Sequence, residues 1–94
     1  MNKTTHCIEI FCSPGCSRCD RTVTLLQSVL TELQCIHIKW QKLNVVEELD
    51  YAVELGIRAT PSIVIDGKLY FTGQPIREKL VECIRNLDNA EEQT

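Results

Sequence analysis

Ninety-four residues, 44% of them apolar, suffice for one folded domain with a core of its own and are too few for two. A formal charge of −3 with no block of Lys or Arg excludes a phosphate-tracking nucleic-acid surface, and the apolar runs are far too short to span a bilayer. No apolar stretch follows Met1–His6, so no secretory leader is expected, and the six cysteines point to a reducing, cytoplasmic compartment rather than a disulfide framework.

His6 to Phe11 is rich in β-branched and aromatic residues and predicts a buried first strand. From about Ser17 to Leu33 the period changes: Val23, Leu26, Leu30 and Leu33 recur at three and four residues, predicting a helix with one face on a core. Cys35 to Trp40 alternates with period two and predicts a second strand. Asn44, with Glu47 three residues on, reads as the capping box of a second helix. Val46, Leu49 and Val53 are its expected buried stripe, and Gly56 is its stop.

Ser62–Ile65 and Lys68–Thr72 flank Asp66-Gly67, a tight-turn dipeptide, and predict a hairpin. The unbroken Ile63-Val64-Ile65 suits an interior strand, and the Lys- and Tyr-bearing partner suits an edge. After Gly73-Gln74-Pro75 a last helix is expected, with Ile76, Leu80, Ile84 and Leu87 inward. Residues 88–94 are polar and acidic and read as a flexible, solvated tail. The chain is thus one domain, 1–94, of order β-α-β-α-β-β-α. A parallel βαβ pair and an antiparallel hairpin merge into a four-stranded mixed sheet with helices on both faces.

Between the first strand and first helix lies Phe11-Cys12-Ser13-Pro14-Gly15-Cys16-Ser17-Arg18-Cys19. Cys16 and Cys19 sit three apart where the helix begins, and unpaired N–H groups and the helix dipole favour a thiolate there. A thiolate is the nucleophile of thiol–disulfide exchange, so this dithiol is the candidate active site of an oxidoreductase.

Gly15-Cys16-Ser17-Arg18-Cys19 together with Gly56-Ile57-Arg58-Ala59-Thr60-Pro61 and the hairpin after it resembles the thioredoxin fold over nearly the whole chain. The resemblance is nearest to small, glutaredoxin-sized redox-active disulfide thioredoxins. It implies a thioredoxin-like α/β fold in which Thr60-Pro61 is cis and holds the Thr60 backbone beside the sulfurs to receive substrate. It also implies a thiol–disulfide oxidoreductase with Cys16 attacking, Cys19 resolving, and no cofactor beyond the Cys16–Cys19 disulfide. Arg18, inside the motif, and Arg58, before the proline, are the cations expected to act on the thiolate and on substrate, with Arg21 a further candidate.

Two departures from the better-known relatives bear on chemistry. Ile10 stands where thioredoxins keep a buried aspartate. Ser13 and Gly73-Gln74 replace the lysine and the Gly-Gly turn of glutaredoxins. Protein disulfides are therefore the expected substrates, and a thioredoxin reductase is favoured over glutathione as reductant. No nucleic acid, no membrane and a monomer are expected.

Cys12 completes the spacing C-x3-C-x2-C. It is read as packing at the strand end, as a third redox thiol, or as part of a three-thiolate site for zinc, copper(I) or a cluster. That last reading makes a metal-delivery module the alternative to an enzyme, and a redox-silent interaction domain is a third. Cys7, Cys35 and Cys83 read as small apolar packing residues. His6 and His37 read as surface or satisfied groups, and Trp40 as core rim.

Overall fold

The computed structural model describes residues 6–35 and 37–92, with side chains described up to residue 87. Met1–Thr5, Ile36 of the expected second strand, and residues 93–94 of the expected tail lie outside the described residues, as do the side chains of Glu91 and Glu92. The elements are β1 (His6–Cys12), α1 (Ser17–Glu32), β2 (Ile38–Asn44), α2 (Leu49–Leu55), β3 (Ser62–Ile65), β4 (Lys68–Thr72) and α3 (Arg77–Glu92). They follow the expected order. α3 continues through Glu92, into the stretch read as a tail.

The sheet runs β2-β1-β3-β4. β1 and β2 are parallel, and β3 lies antiparallel to both β1 and β4. Alternation along β1 sorts its side chains into two cores. Ile8, Ile10 and Cys12 join Ile63 and Ile65 of β3 beneath Leu26 and Val29 of α1 and Leu80 and Ile84 of α3. Phe11 and Val64 point the other way and meet Ala52 of α2. All four residues of β3 are buried, whereas β4 is an edge with Lys68, Tyr70 and Thr72 outward. The hairpin turn takes positive φ at Asp66 (52°) and Gly67 (83°), the two-residue geometry that matches strand twist.

Three boundaries differ from the sequence reading. The second strand begins at Ile38, not Cys35, because α1 unwinds through a Schellman stop. Gln34 is left-handed (φ 56°), Gln34 N–H donates to Thr31 O (3.2 Å) and Cys35 N–H donates to Leu30 O (3.1 Å). A glutamine gives no warning of a role glycine usually fills. The strand also runs four residues further, to Asn44, which pairs with Cys12. Asn44 therefore caps no helix; its Oδ1 accepts from Val46 N–H (2.8 Å) in a turn, and α2 starts only at Leu49.

The expected stripe of α2 is turned outward. Val46, Leu49 and Val53 are 66%, 57% and 68% exposed, while Ala52 is 2% exposed, with Tyr51 and Leu55 packed at its sides. The Phe11 and Tyr51 rings, 5.6 Å apart, fill this face, and only a small residue fits between helix and sheet. Ile76 is likewise exposed rather than inward, since it precedes α3 and does not share its phase. Cys35 is buried and Cys83 packs against the main core, but Cys7 is exposed, because it lies on the β1 face that α2 covers only toward Phe11. His6 is half-buried against the turn, with Nδ1 donating to Asp66 Oδ2 (2.6 Å). Trp40 is partly buried at the core margin.

Candidate active site

The chain leaves β1 at Cys12, turns through Ser13-Pro14-Gly15, and enters α1 with Cys16 as its N-cap. Gly15 is left-handed (φ 72°), which lets the turn close so that Cys16 N–H donates to Ser13 O (3.3 Å). Cys19 N–H in turn donates to Cys16 O (3.2 Å), opening the helix. Thr22, fully buried one turn further in, donates its hydroxyl to Arg18 O (2.9 Å) and steadies the first turn.

This geometry separates the two thiols. Cys16 is half-buried at the helix mouth, and Cys19 is 1% exposed in the core. The Cys19 backbone N–H facing the Cys16 sulfur is the main cause that holds its pKa below the ordinary thiol value. The Cys19 thiol, the Arg18 N–H and the Arg18 charge add to it against a smaller desolvation cost. Cys19 goes the other way: burial, then the neighbouring Cys12 and Cys16 side chains, push its pKa strongly up. The first sulfur is thus favoured as the anion relative to an ordinary thiol, and the second as the protonated thiol. Both are free thiols in this structure.

The second strand of the site arrives from the far end of the chain. Phe11 pairs with Ser62 in the antiparallel β1–β3 ladder, and the Ser13 and Thr60 hydroxyls share a hydrogen bond of 2.6 Å. The Thr60–Pro61 peptide bond is cis, and Pro61 is buried. Ser62 Oγ donates to Ala59 O and Gly73 N–H to Pro61 O, both 2.6 Å, so the loop is tied on either side of the proline.

Of the residues singled out in the sequence, Cys16, Cys19, Cys12 and Arg18 come together, and Thr60 and Pro61 are joined to them through Ser13. Arg58 is not brought in: it is exposed on the loop and forms no hydrogen bond or ion pair among the described residues. Arg21 is exposed on α1. Among the described residues no group of three or more His, Cys, Asp or Glu side chains is arranged to hold a metal ion, so the three-thiolate reading of Cys12, Cys16 and Cys19 gains no support.

A recess of about 320 Å³ opens beside Cys16, walled by Cys12, Pro14, Lys42, Asn44 and Glu47. Lys42 Nζ stands 3.7 Å from Asp20 Oδ1 at its rim. The sequence reading missed these walls because it ended the second strand at Trp40. The signal was present in Lys42-Leu43-Asn44, whose alternation continues the strand beside the cysteine loop.

A mixed sheet of this order, with a dithiol heading its first helix, defines a thioredoxin-fold protein. A family model described as thioredoxin domain matches residues 6–85, and the chain belongs to that family. It is 38% identical over 79 residues to a thioredoxin of Methanocaldococcus jannaschii, covering 83% of this chain and 91% of that one. A probable thioredoxin of Methanothermobacter thermautotrophicus is 33% identical over 79 residues, covering 84% and 92%. Among solved structures, mitochondrial thioredoxin 3 of Saccharomyces cerevisiae in its oxidised form superposes with a TM-score of 0.70 at 22% identity over 87% of this chain and 78% of that one. Chloroplastic thioredoxin z gives 0.72 at 24% identity, covering 90% and 80%. These two likenesses establish the fold. The relatives named here are thioredoxins rather than glutaredoxins, and a general thiol–disulfide oxidoreductase role goes with that membership.

Proposed function

We propose that the protein reduces disulfides in protein substrates, with Cys16 as nucleophile and Cys19 as resolving thiol. The observation that carries this reading is the opposed state of the two sulfurs: Cys16 accessible and favoured as thiolate, Cys19 buried and protonated beside it. The Cys16 thiolate attacks one sulfur of the substrate disulfide. That bond breaks, its electron pair leaves with the second substrate sulfur, and a mixed disulfide remains on Cys16. Cys19 gives up its proton to solvent and attacks Cys16 Sγ, releasing the first substrate sulfur as a thiolate. Two electrons have then passed to the substrate, and Cys16–Cys19 is a disulfide. Thr60, tied to Ser13 at the edge of the loop, offers backbone to an extended substrate segment, and Arg18 supplies positive charge beside the thiolate.

A reductase of the thioredoxin-reductase class resets the dithiol, with glutathione a poorer donor because the lysine and second turn glycine that favour it are Ser13 and Gln74. The protein works as a monomer in a reducing, cytoplasmic compartment, where Cys7, Cys35 and Cys83 stay reduced. Insulin reduction tests the assignment. Cys16→Ser abolishes turnover, and Cys19→Ser accumulates a mixed disulfide with substrate on Cys16. Wild-type turnover by Cys16→Ser would overturn the choice of nucleophile.

A further inference from the structure

Cys12 closes β1. It pairs with Asn44 in the parallel ladder, and its carbonyl accepts Val45 N–H at 2.8 Å. Strand alternation sends its side chain to the same face as Ile8 and Ile10, beneath the first turn of α1. Cys19 points down from that turn into the same core cluster, and Cys16 packs against the cluster from above. The sulfur of Cys19 thus has two thiol neighbours, Cys12 on the core side and Cys16 on the solvent side. Cys12 and Cys16 both line the recess beside the loop, although Cys12 as a residue is only 3% exposed.

We propose that Cys12 is a third redox thiol, which in the oxidised protein attacks Cys19 and moves the disulfide inward from Cys16–Cys19 to Cys12–Cys19. The inference rests on the dithiol reading above, which supplies the Cys16–Cys19 disulfide. Cys12 releases its proton to solvent, and its sulfur bonds to Cys19 Sγ. The Cys16–Cys19 bond breaks, and the electron pair stays on Cys16 as thiolate. No electrons leave the protein, and no further oxidant is needed.

Cys16 is the better leaving group of the pair, because the helix N-terminus stabilises its anion. Burial raises the Cys12 thiol, only partly offset by the Cys19 side chain and the Lys42 charge. The product stores the oxidising equivalents in the core and leaves an exposed, reactive Cys16 in a protein that is nonetheless oxidised. Such a form can still join a substrate disulfide, but lacks a thiol to resolve the adduct. That suits it to rearranging disulfides as well as reducing them.

The test uses full-length protein oxidised by turnover with insulin, quenched in acid, and labelled with N-ethylmaleimide before digestion. Trypsin cuts after Arg18, so Cys19 separates from Cys12 and Cys16, and fragmentation shows which of the latter carries the cross-link and which the label. The expected result is a Cys12–Cys19 linkage alongside Cys16–Cys19, with Cys16 labelled in the first species. In Cys12→Ala the linkage to Cys19 is all through Cys16, and Cys16 is unlabelled. A wild-type protein whose only linkage is Cys16–Cys19 would overturn the inference and leave the proposed reaction standing. A protein that shows no linkage among the three cysteines would overturn the proposed reaction itself.

Discussion

Ser13 and Thr60, 47 residues apart in sequence, share a hydroxyl–hydroxyl hydrogen bond of 2.6 Å that joins the cysteine loop to the proline loop. Both groups are partly buried, so removing one partner leaves the other under-satisfied. Ser13→Ala or Thr60→Val is expected to cost about 1 kcal/mol. In a domain of this size that is about 4–8 °C in melting temperature. The double variant should lose less than the sum of the two, since they break one bond. In insulin reduction each single variant raises KM more than it lowers kcat, because the loop that receives substrate is loosened while the dithiol is untouched.

The hairpin turn carries a pH-sensitive tie to the start of β1. Burial alone would raise the Asp66 carboxyl. The His6 ring, the Cys7 N–H (2.9 Å) and the His6 charge outweigh it and hold its pKa below the ordinary range. A group depressed on folding adds stability above its unfolded pKa and loses it as pH falls through the folded value. Asp66→Asn keeps the left-handed turn residue but removes the charge. Its melting temperature should fall below wild type at pH 7, and the gap should close on acidification below about pH 4, where the unfolded carboxyl also titrates. Thermal scans across pH 2–7 check both parts.

The two faces of α2 predict opposite responses. Ala52 fills a gap between Phe11 and Val64, so Ala52→Leu should overpack it and cost about 1–3 kcal/mol. Val53→Lys, one residue on, alters an exposed position and should stay within about 0.5 kcal/mol of wild type. Urea unfolding of both variants separates this packing from one in which Val53 faces the core.

That contrast also shows what the sequence could reveal. The strand-helix order, the hairpin and the dithiol were legible because each has a local cause: β-branched and aromatic content in β1, the unbroken apolar run of β3, Asp66-Gly67 with paired positive φ, and two cysteines at a helix start. The phase of α2 was not. Val46, Leu49 and Val53 make a regular apolar stripe, and only the sheet surface at Phe11 and Val64, against which Tyr51 also packs, decides that Ala52 is the residue to bury. The site was legible at Cys16 and Cys19, and at Lys42 and Asn44 through an alternation that continues β2, but the Ser13–Thr60 tie was not. That bond joins residues 47 apart in the chain, and periodicity carries no trace of it.

The account depends most on Cys16 being favoured as thiolate while Cys19 beside it is not. The direct measurement is the rate of iodoacetamide alkylation at each cysteine of the reduced protein from pH 4 to 10, read by peptide mass spectrometry. Cys16 should react first at neutral pH, with an inflection below the ordinary value of about 8.5. Removing the Arg18 charge (Arg18→Ala) should raise that inflection less than removing the neighbouring thiol (Cys19→Ala), because the thiol donates directly to the Cys16 sulfur whereas the exposed guanidinium acts through its charge alone. Cys19 should remain unlabelled over the same range. A Cys16 inflection at or above about 8.5, or Cys19 labelled ahead of it, would contradict the account.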